Sequence, residues 1–501
     1  MNRVAKLMLA GVSTLALTVP TFAQALPQAE DAYFTAAQAA LQAAAAKQAI
    51  DGPAKNVIIF VGDGMSVATV TAARILDGQL RGVDGESNSI AVDTFPYLAL
   101  AKTYSHDGQV SDSAPTATAM VSGVKTNNGV IGVNTNVTQG DCAAEAGNSV
   151  TSLFEIAEEK GLATGVVSTA TITHATPAST YAHTANRNWE RKADEGCLDI
   201  ADQLVNWAAG DGFEVALGGG RANFLPAETA DPEDDGAMGG REDGRDLTAE
   251  WTGKSNQHAY VWNAEDLMAL DMAAGTKVLG LFERSHMEYE ADRENDTAGE
   301  PSLAELTALA IERLQQDEDG YVLMVEGGRI DHAHHGGNAY RALHDTLAFD
   351  AAIKAALEAT NREDTLIVVT ADHSHTLTIN GYPDRGNPIF DVVREGGEVS
   401  LAADGKPYTT LGYANGPGSV FPALPEGATE AEAAGPRPDL SEIDTMSPDF
   451  LQQATVPLGS ETHAGDDVAV YAWGPMAHLM GGTIEQNYVY HVMANALGWD
   501  K

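Results

Sequence analysis

The feature that most limits the possible folds of this chain is a repeated alternation of short apolar runs with helical patterns. Strand-like runs such as "NVIIFVG", "GYVLMVEGG" and "DTLIVVTADH" alternate with helix-like segments such as "LAELTALAIERLQQ" and "HDTLAFDAAIKAALEAT". This alternation is typical of a mostly parallel sheet covered by helices on both faces. The sequence therefore predicts a three-layer α/β/α fold around a large, mostly parallel central sheet.

Two segments depart from this alternation. Residues 224–300 are acidic and rich in loop-forming residues, which indicates an insertion near the core. Residues 378–455 are rich in glycine and proline and predict a small accessory, crown-like subdomain. We expect residues 51–377 and 456–501 to form the main α/β core, preceded by a peripheral helix within the alanine-rich residues 26–50.

Residues 1–25 have the pattern of a secretory signal peptide. Arg3 and Lys6 precede a short apolar stretch, and Ala-Gln-Ala at positions 23–25 fits a cleavage site. The apolar stretch is short for a membrane span, so the pattern favours export with cleavage over a membrane anchor. No later segment predicts an anchor, and we expect a periplasmic or secreted protein.

Charge and cysteine content narrow the expected partners and the redox setting. Asp and Glu number 71 against 29 Lys and Arg, a net charge of −42. Such a surface repels nucleic acid and anionic membranes, so neither is an expected partner. The cysteines of the chain are Cys142 and Cys197, which in an exported protein most simply form one disulfide; two unpaired buried thiols are the alternative.

Carboxylates and histidines follow the ends of several predicted strands. Asp63, Glu326 and the pair Asp372-His373 come at the ends of three apolar runs, and His463 precedes the last one. Functional residues gather at the carboxyl ends of parallel strands. Each residue alone is more often a helix cap or an ordinary histidine. Together they predict one functional site, at the carboxyl ends of the strands.

The stretch "VEGGRIDHAHHGG" adds further ligand-type side chains directly after a strand. Asp331 and His335 are four residues apart, so on a helical turn they share one face, a spacing that suits zinc. With the strand-end residues they match a two-zinc site with a harder third position. The sequence suggests no function for His334.

The candidate nucleophile is Ser113, in "SDSAPTATAMVSG". It lies at the start of a helical pattern, where backbone amides favour a bound oxyanion, although an ordinary N-cap serine is the alternative. No histidine-based triad is visible near it, so activation would come from a metal. Arg187 is a candidate for a bidentate grip on phosphate; a surface arginine is the alternative.

The sequence resembles the alkaline phosphatase family, and more closely its animal-type and marine bacterial members. The resemblance rests on "GDGM", "DSAPTATAM", "HATPASTYAHTANRNW", "LGGGR", "VEGGRIDHAHH", "TADHSHT" and "ETHAGDDVAVYAWGP", in that order over nearly the whole chain after the signal peptide. It implies a phosphoric monoester hydrolase with a phosphoserine intermediate, two zinc ions and one magnesium ion per subunit, and a homodimer.

The resemblance also implies a role for each candidate residue. The first zinc would bind Asp331, His335 and His463; the second, Asp63, Asp372 and His373; magnesium, Asp63, Thr176 and Glu326. Ser113 would be the nucleophile, and Arg187, oriented by Asp112, would hold the phosphate. His174 and His332 would not be primary ligands but would contact the ligand and phosphate-binding residues and tune their properties. Cys142 and Cys197 would form the family's first disulfide. Calcium would bind Glu233, the Phe282 carbonyl, Glu283 and Glu300, where the family has Asp at the fourth position and two extra residues intervene here; a solvated acidic loop is the alternative.

Two rival functions are distinguishable. A phosphodiesterase or sulfatase of the same superfamily is the nearer one, but the sulfatase motif Cys/Ser-x-Pro-x-Arg ends here in Ala117, which weighs against it. A secreted metal- or phosphate-binding protein without catalysis would lack a nucleophile or a ligand, and none is lacking here.

Overall fold

A computed structural model of the protein describes residues 26–273, 275–419 and 437–499. The predicted signal peptide, residues 1–25, lies outside the described residues, as does part of the predicted accessory subdomain, residues 420–436. The chain divides into two compact units, Met1–Gln48 and Ala49–Lys501. Among the described helices, none combines the length and apolar character that crossing a membrane requires.

The first unit contains one described helix, α1 (Ala32–Ala45). Asp31 caps it by accepting hydrogen bonds from the backbone amides of Tyr33 and Phe34. Its alanine-rich sequence has high intrinsic helix propensity. None of its residues is buried, and its helix propensity and the Asp31 cap both favour the helix.

The second unit alternates helices and strands as predicted. Its described α-helices are α2 (Val67–Leu80), α3 (Ser113–Ser122), α4 (Leu153–Glu159), α5 (Ala175–Ala178), α6 (Ile200–Val205), α7 (Leu247–Gly253), α8 (Ala264–Ala269), α9 (Leu303–Leu314), α10 (Arg329–His335), α11 (Ala339–Ala359) and α12 (Tyr488–Ala496). Its described strands are β1 (Asn56–Gly62), β2 (Tyr97–Lys102), β3 (Ala163–Thr171), β4 (Val215–Gly219), β5 (His258–Val261), β6 (Lys277–Leu281), β7 (Tyr321–Gly327), β8 (Thr365–Ala371), β9 (Ser374–His375), β10 (Leu377–Ile379), β11 (Arg394–Glu395), β12 (Glu398–Val399), β13 (Leu411–Gly416), β14 (Ala454–Pro457), β15 (His463–Ala464), β16 (Val468–Trp473) and β17 (Gly482–Glu485).

The central sheet has ten strands in the order β17-β2-β16-β8-β1-β7-β3-β4-β6-β5. Within it, β16 runs antiparallel to both of its neighbours, and the other described pairings are parallel. The central strands β1, β7 and β8 are buried along their whole length, as expected when helices cover both faces. The predicted α/β fold with a large, mostly parallel sheet is confirmed.

Two groups of helices pack on this sheet. In one group α11 packs on α2 and α9, and in the other α3 packs on α4, α5 and α12. Aromatic contacts tie the first group to the sheet: Phe60 of β1 meets Phe349 of α11 edge-on, with ring centroids 5.8 Å apart. The sheet and both groups share one hydrophobic core.

The two irregular segments contribute more regular structure than their composition suggests. Residues 224–300 supply β5 and β6, which extend the central sheet at one edge. These strands have only four and five residues, too few for a clear periodic signal. Within 378–455, β13 and β14 form a three-stranded sheet with β10, and β11 and β12 form a separate pair. Cys142 and Cys197 are joined in a disulfide.

Candidate active site

Three neighbouring central strands end with acidic residues at one edge of the sheet. Asp63 follows β1, Glu326 lies near the end of β7, and Asp372 follows β8. Strand β1 lies between the other two and pairs with both in parallel register. Because parallel strands end at the same edge, Asp63 lies between the other two carboxylates, and all three are fully buried.

A first group of metal-type ligands, the first cluster, consists of Asp331, His335 and His463. Helix α10 begins two residues after β7 and carries Asp331 and His335 on one face, with Asp331 Oδ1 3.4 Å from His335 Nε2. His463 Nε2 lies 3.3 Å from Asp331 Oδ1 and 3.1 Å from His335 Nε2. Strand β15 brings His463 there by pairing antiparallel with β9.

Backbone carbonyls set the tautomers of both histidines of the first cluster. His463 Nδ1 donates to the Ser111 carbonyl at 2.8 Å, and His335 Nδ1 donates to the Glu461 carbonyl at 2.5 Å. Because a carbonyl only accepts, each Nδ1 carries the proton, and in the neutral ring Nε2 keeps a free lone pair. Both lone pairs therefore face the space beside Asp331, as ligands for one metal ion would.

A second group, the second cluster, consists of Asp63, Asp372, His373 and Ser113. His373 Nε2 lies 3.3 Å from Asp63 Oδ1 and 3.3 Å from Asp372 Oδ2. Ser113 Oγ lies 3.2 Å from the same nitrogen and 3.5 Å from Asp63 Oδ1. Four ligand-type atoms thus surround one point.

Both clusters have the spacing of a tetrahedral metal site. With zinc–ligand bonds of about 2.0 Å, tetrahedral ligands are about 3.3 Å from one another. The separations of 3.1–3.5 Å in the two clusters match this value. Within the second cluster Asp63 Oδ2 and Asp372 Oδ2 are buried without a hydrogen-bond partner, which is unusual for protein interiors and typical of carboxylates that bind a cation.

A third group, the oxygen cluster, shares Asp63 with the second cluster. Asp63, Glu326 and His174 bring ligand-type atoms within 4.8 Å of one another. The Thr176 hydroxyl and Glu326 Oε1 are buried without a hydrogen-bond partner, and His174 is the residue that precedes α5. Oxygen donors dominate this group, and hard cations such as Mg²⁺ prefer oxygen ligands.

The buried carboxylates of the site repel one another. Burial, and then the neighbouring Asp372 and Asp331 carboxylates, raise the pKa of Asp63 well above its ordinary value. Burial likewise raises the pKa of Glu326 to about 8. Groups that are buried and repelled in this way are typical of cation sites, since the ion stabilises their charged form.

Helix α3 positions Ser113 of the second cluster and, through Asp112, the side chain of Arg187. Asp112 is the N-cap of α3 and accepts from the Ala114 amide, so Ser113 is the first helical residue rather than the cap. Arg187 Nη1 donates to Asp112 Oδ1 at 3.2 Å, and Nη2 donates to His174 Nε2 at 2.9 Å. The guanidinium is therefore held on two sides next to Ser113.

The sequence did not predict three residues of the site: His375, Glu461 and His286. His375 Nε2 lies 2.6 Å from Asp331 Oδ1, and His375 Nδ1 lies 2.5 Å from Glu461 Oε2. Burial disfavours the charged ring, but these two carboxylates raise the pKa of His375 to about 9. Its position two residues after His373 was the available signal, since alternate strand residues share a face.

The third missed residue is His286, which joins the two supporting histidines predicted from the sequence. Its ring centroid lies 4.2 Å from that of His332 and 5.6 Å from that of His174. His332 in turn accepts a hydrogen bond from Arg329 at Nδ1. Because His286 lies in the irregular segment, no periodic pattern pointed to it.

Several oxygens of the predicted calcium site already accept hydrogen bonds from the protein. The predicted residues are Glu233, Phe282, Glu283 and Glu300. Arg221 donates to Glu233 Oε2 at 2.8 Å and to the Phe282 carbonyl at 3.0 Å. Both oxygens of Glu300 accept from the Glu288 amide, at 3.0 and 3.1 Å. An acidic neighbour that was not predicted, Asp296, has a buried oxygen without a partner.

Comparison with known proteins decides the family. A sequence profile of alkaline phosphatase matches residues 54–499. The tissue-nonspecific alkaline phosphatase of Gallus gallus is 47% identical over 456 residues, which cover 88% of this chain and 84% of that protein. The chain belongs to the alkaline phosphatase family. The alkaline phosphatase of Gadus morhua is 44% identical over 455 residues, covering 88% of this chain and 91% of that protein.

Solved structures of the family agree with this placement. The crystal structure of Thermus thermophilus alkaline phosphatase matches with a TM-score of 0.64 and 26% identity, covering 90% of this chain and 93% of that one. The prediction of an alkaline phosphatase that hydrolyses phosphate monoesters is confirmed by the family membership. The family is one of metalloenzymes, and the described residues contain several groups able to hold a metal ion.

Proposed function

We propose that the enzyme transfers the phosphoryl group of an external phosphate monoester to Ser113 and then to water, at a centre for two zinc ions and one magnesium ion. One observation carries this proposal. Ser113 Oγ occupies one corner of the second cluster, 3.2 Å from His373 Nε2 and 3.5 Å from Asp63 Oδ1. A serine hydroxyl in that position would be bound and acidified by the same ion as its neighbours.

The donor chemistry supports a specific distribution of ions. Two imidazoles and a carboxylate, from His335, His463 and Asp331, suit zinc. One imidazole and two carboxylates, from His373, Asp63 and Asp372, suit it as well. The oxygen donors Asp63, Thr176 and Glu326 suit magnesium. When bound, these ions would lower the pKa of hydroxyl groups and neutralise charge that develops on phosphate oxygens.

The chain's own residues account for the covalent steps. The Ser113 hydroxyl releases its proton to solvent, and its oxygen bonds to phosphorus while the bond to the ester oxygen breaks; the leaving alkoxide takes up a proton from water and departs as the alcohol. A water molecule that has lost a proton then bonds through its oxygen to phosphorus, the Ser113 oxygen leaves and is reprotonated, and phosphate is released. Each in-line step inverts phosphorus, so the net outcome is retention.

Arg187 would bind the non-reacting phosphate oxygens with its guanidinium fork. Its contacts with Asp112 and His174 restrict its rotation, so it pays less ordering entropy when phosphate binds. His332 and His286 pack behind His174 and would hold that ring in place.

A cation in the acidic segment is a further part of the proposal. Burial, together with the Asp296 carboxyl beside it, raises the pKa of Glu233 to about 7, and burial with the Glu233 charge raises that of Glu283 to about 8. Glu233 Oε1 and Asp296 Oδ2 are buried and unpartnered. We therefore propose calcium at the predicted Glu233, Phe282 carbonyl, Glu283 and Glu300, with Asp296 as an additional carboxylate beside them.

The cellular setting of the enzyme follows from the sequence. The signal-peptide pattern of residues 1–25 supports export to the periplasm or beyond. The resemblance to animal-type members supports a homodimer. Phosphate monoesters outside the cytoplasm are then the substrates.

Metal analysis combined with activity tests the central proposal. Purified enzyme is expected to hold two zinc equivalents and one magnesium, and to hydrolyse an aryl phosphate monoester far faster than the matching diester or sulfate. Removal of zinc with a chelator should abolish the monoesterase activity, and added zinc should restore it. Full activity in zinc-free protein would contradict the two-zinc centre.

A further inference from the structure

His334 is the histidine of "DHAHH" for which the sequence suggested no function. It lies on α10 between Asp331 and His335, and it is completely buried. Its ring nitrogens contact two hydroxyl groups from distant parts of the chain. Nε2 lies 3.0 Å from Thr69 Oγ1 on α2, and Nδ1 lies 2.7 Å from Tyr413 Oη on β13.

One face of the His334 ring lies against His375. The two rings are stacked, with centroids 5.0 Å apart and planes 30° from parallel. His375 is the residue whose Nε2 contacts the Asp331 carboxylate at 2.6 Å. The plane of His334 therefore limits the plane of His375, and the plane of His375 limits where Asp331 Oδ1 can lie.

Strand β13 is also connected to the ring edge of His375, by a chain of hydrogen bonds. The Ala414 amide donates to Thr376 Oγ1 at 3.2 Å, and Thr376 Oγ1 donates to Glu461 Oε1 at 2.5 Å. The other oxygen of Glu461 contacts His375 Nδ1. Two neighbouring residues of β13 therefore act on His375. Tyr413 acts through His334, which stacks on the ring face, and Ala414 acts through Thr376 and Glu461, which reach the ring edge.

We infer that His334 is a positioning residue, which transmits the placement of Tyr413 on β13 through His375 to the Asp331 oxygen of the first cluster. This inference rests on the proposed function, because it presumes that Asp331, His335 and His463 bind a zinc ion. A buried histidine with both nitrogens bonded could serve stability alone. The stacking on a residue that directly contacts a ligand distinguishes the positioning role, since such outer partners tune metal affinity.

The test is zinc release from the Tyr413→Phe variant, which removes one hydroxyl and keeps the ring. A chromogenic chelator reports the release of the two zinc equivalents from the loaded enzyme. We expect one equivalent to leave about 10-fold faster than in the wild type, with the other unchanged, because outer-partner changes typically cost 10–100-fold in affinity. The melting temperature of the zinc-saturated variant should stay close to that of the wild type.

A second variant and a matched control complete the experiment. His334→Gln retains a group able to reach Thr69 but loses the one that faces Tyr413, so it should accelerate the same equivalent. Tyr382→Phe changes a tyrosine that is 83% exposed in the same part of the chain and should release zinc as the wild type does.

The outcomes separate this inference from the proposed function. Wild-type release kinetics in both Tyr413→Phe and His334→Gln would overturn the inference alone. Equal acceleration of both equivalents with a lowered melting temperature would show a purely structural role and would also overturn it. A wild-type enzyme that binds no zinc would overturn the two-zinc centre and the inference together.

Discussion

Ser113 Oγ lies 3.2 Å from His373 Nε2, although the two residues are 260 positions apart in the chain. The contact joins the first residue of α3 to the loop after β8. Asp112 rather than Ser113 caps this helix, and the Ser113 hydroxyl instead contacts a buried imidazole and, at 3.5 Å, the buried Asp63 carboxylate. The proposed nucleophile and a proposed metal ligand are therefore in direct contact in the folded chain.

The Ser113→Ala variant should therefore lose the covalent step and keep the metals. We expect kcat to fall by about a thousandfold or more, in the range seen when other hydrolases lose their nucleophile. Acid quenching with a labelled phosphate ester should detect no phosphoprotein, while emission spectroscopy should find wild-type zinc. Ser122→Ala, at the other end of the same helix, is the control. Wild-type labelling of Ser113→Ala would refute the assignment.

His335→Ala should lose zinc and activity together. Its Nε2 is one of three atoms separated by 3.1–3.4 Å in the first cluster, and its removal leaves a carboxylate and one imidazole. We expect one of two zinc equivalents to be lost at micromolar free zinc, with activity partly restored by excess zinc. His344→Ala, on the next helix, should behave as the wild type. Normal zinc content in His335→Ala would exclude it as a ligand.

Arg187→Lys should weaken phosphate binding while conserving charge. A lysine lacks the planar fork and cannot contact Asp112 and His174 at once as the arginine does. We expect KM and the inhibition constant of product phosphate to rise by about 10-fold, on the scale of one lost charge-assisted hydrogen bond. Arg191→Lys, four residues further on, is the matched control. Unchanged phosphate inhibition would place Arg187 outside the substrate site.

Glu158 should make the stability of the fold depend on pH far from the active site. Burial raises its pKa to about 8, from 4.5 in an unperturbed glutamate. Between these two values the folded protein retains a proton that the unfolded chain releases, so this contribution to stability is complete below pH 4.5 and is lost as pH rises to about 8.

Replacement of that carboxyl isolates its contribution. In Glu158→Gln, the urea midpoint should fall less between pH 5 and pH 8 than in the wild type, both measured with metals bound. Glu159→Gln, at the adjacent exposed position, should keep the wild-type slope. Identical slopes in Glu158→Gln and the wild type would show that the carboxyl does not hold its proton in the folded state.

Local patterns account for what could be predicted without a structure. Strands and helices differ in their apolar periodicity, which is a property of neighbouring residues. The alternation of strands with helices, and from it the mostly parallel sheet, could therefore be predicted from the sequence. The i, i+4 spacing of Asp331 and His335 and the position of Ser113 at a helix start were readable for the same reason. The family motifs added the roles, and the family itself is confirmed.

Contacts between distant segments could not be predicted from the sequence, because tertiary packing rather than local periodicity determines them. His335 and His463 meet across 128 residues only because β15 pairs antiparallel with β9. The same pairing places Glu461 against His375, and no local pattern pointed to Glu461. Likewise, the fold of the acidic segment brings Asp296 beside Glu233, a contact that no local pattern predicts.

The sequence by itself determined the class of fold, the family and the chemical types of side chain available for catalysis. The tertiary structure alone decided which of them share a point in space, to within the 3.1–3.5 Å that one metal ion requires. The physical reason is that secondary structure depends on near neighbours in the chain. A metal cluster instead depends on the order and direction of whole strands, which only the packed sheet defines.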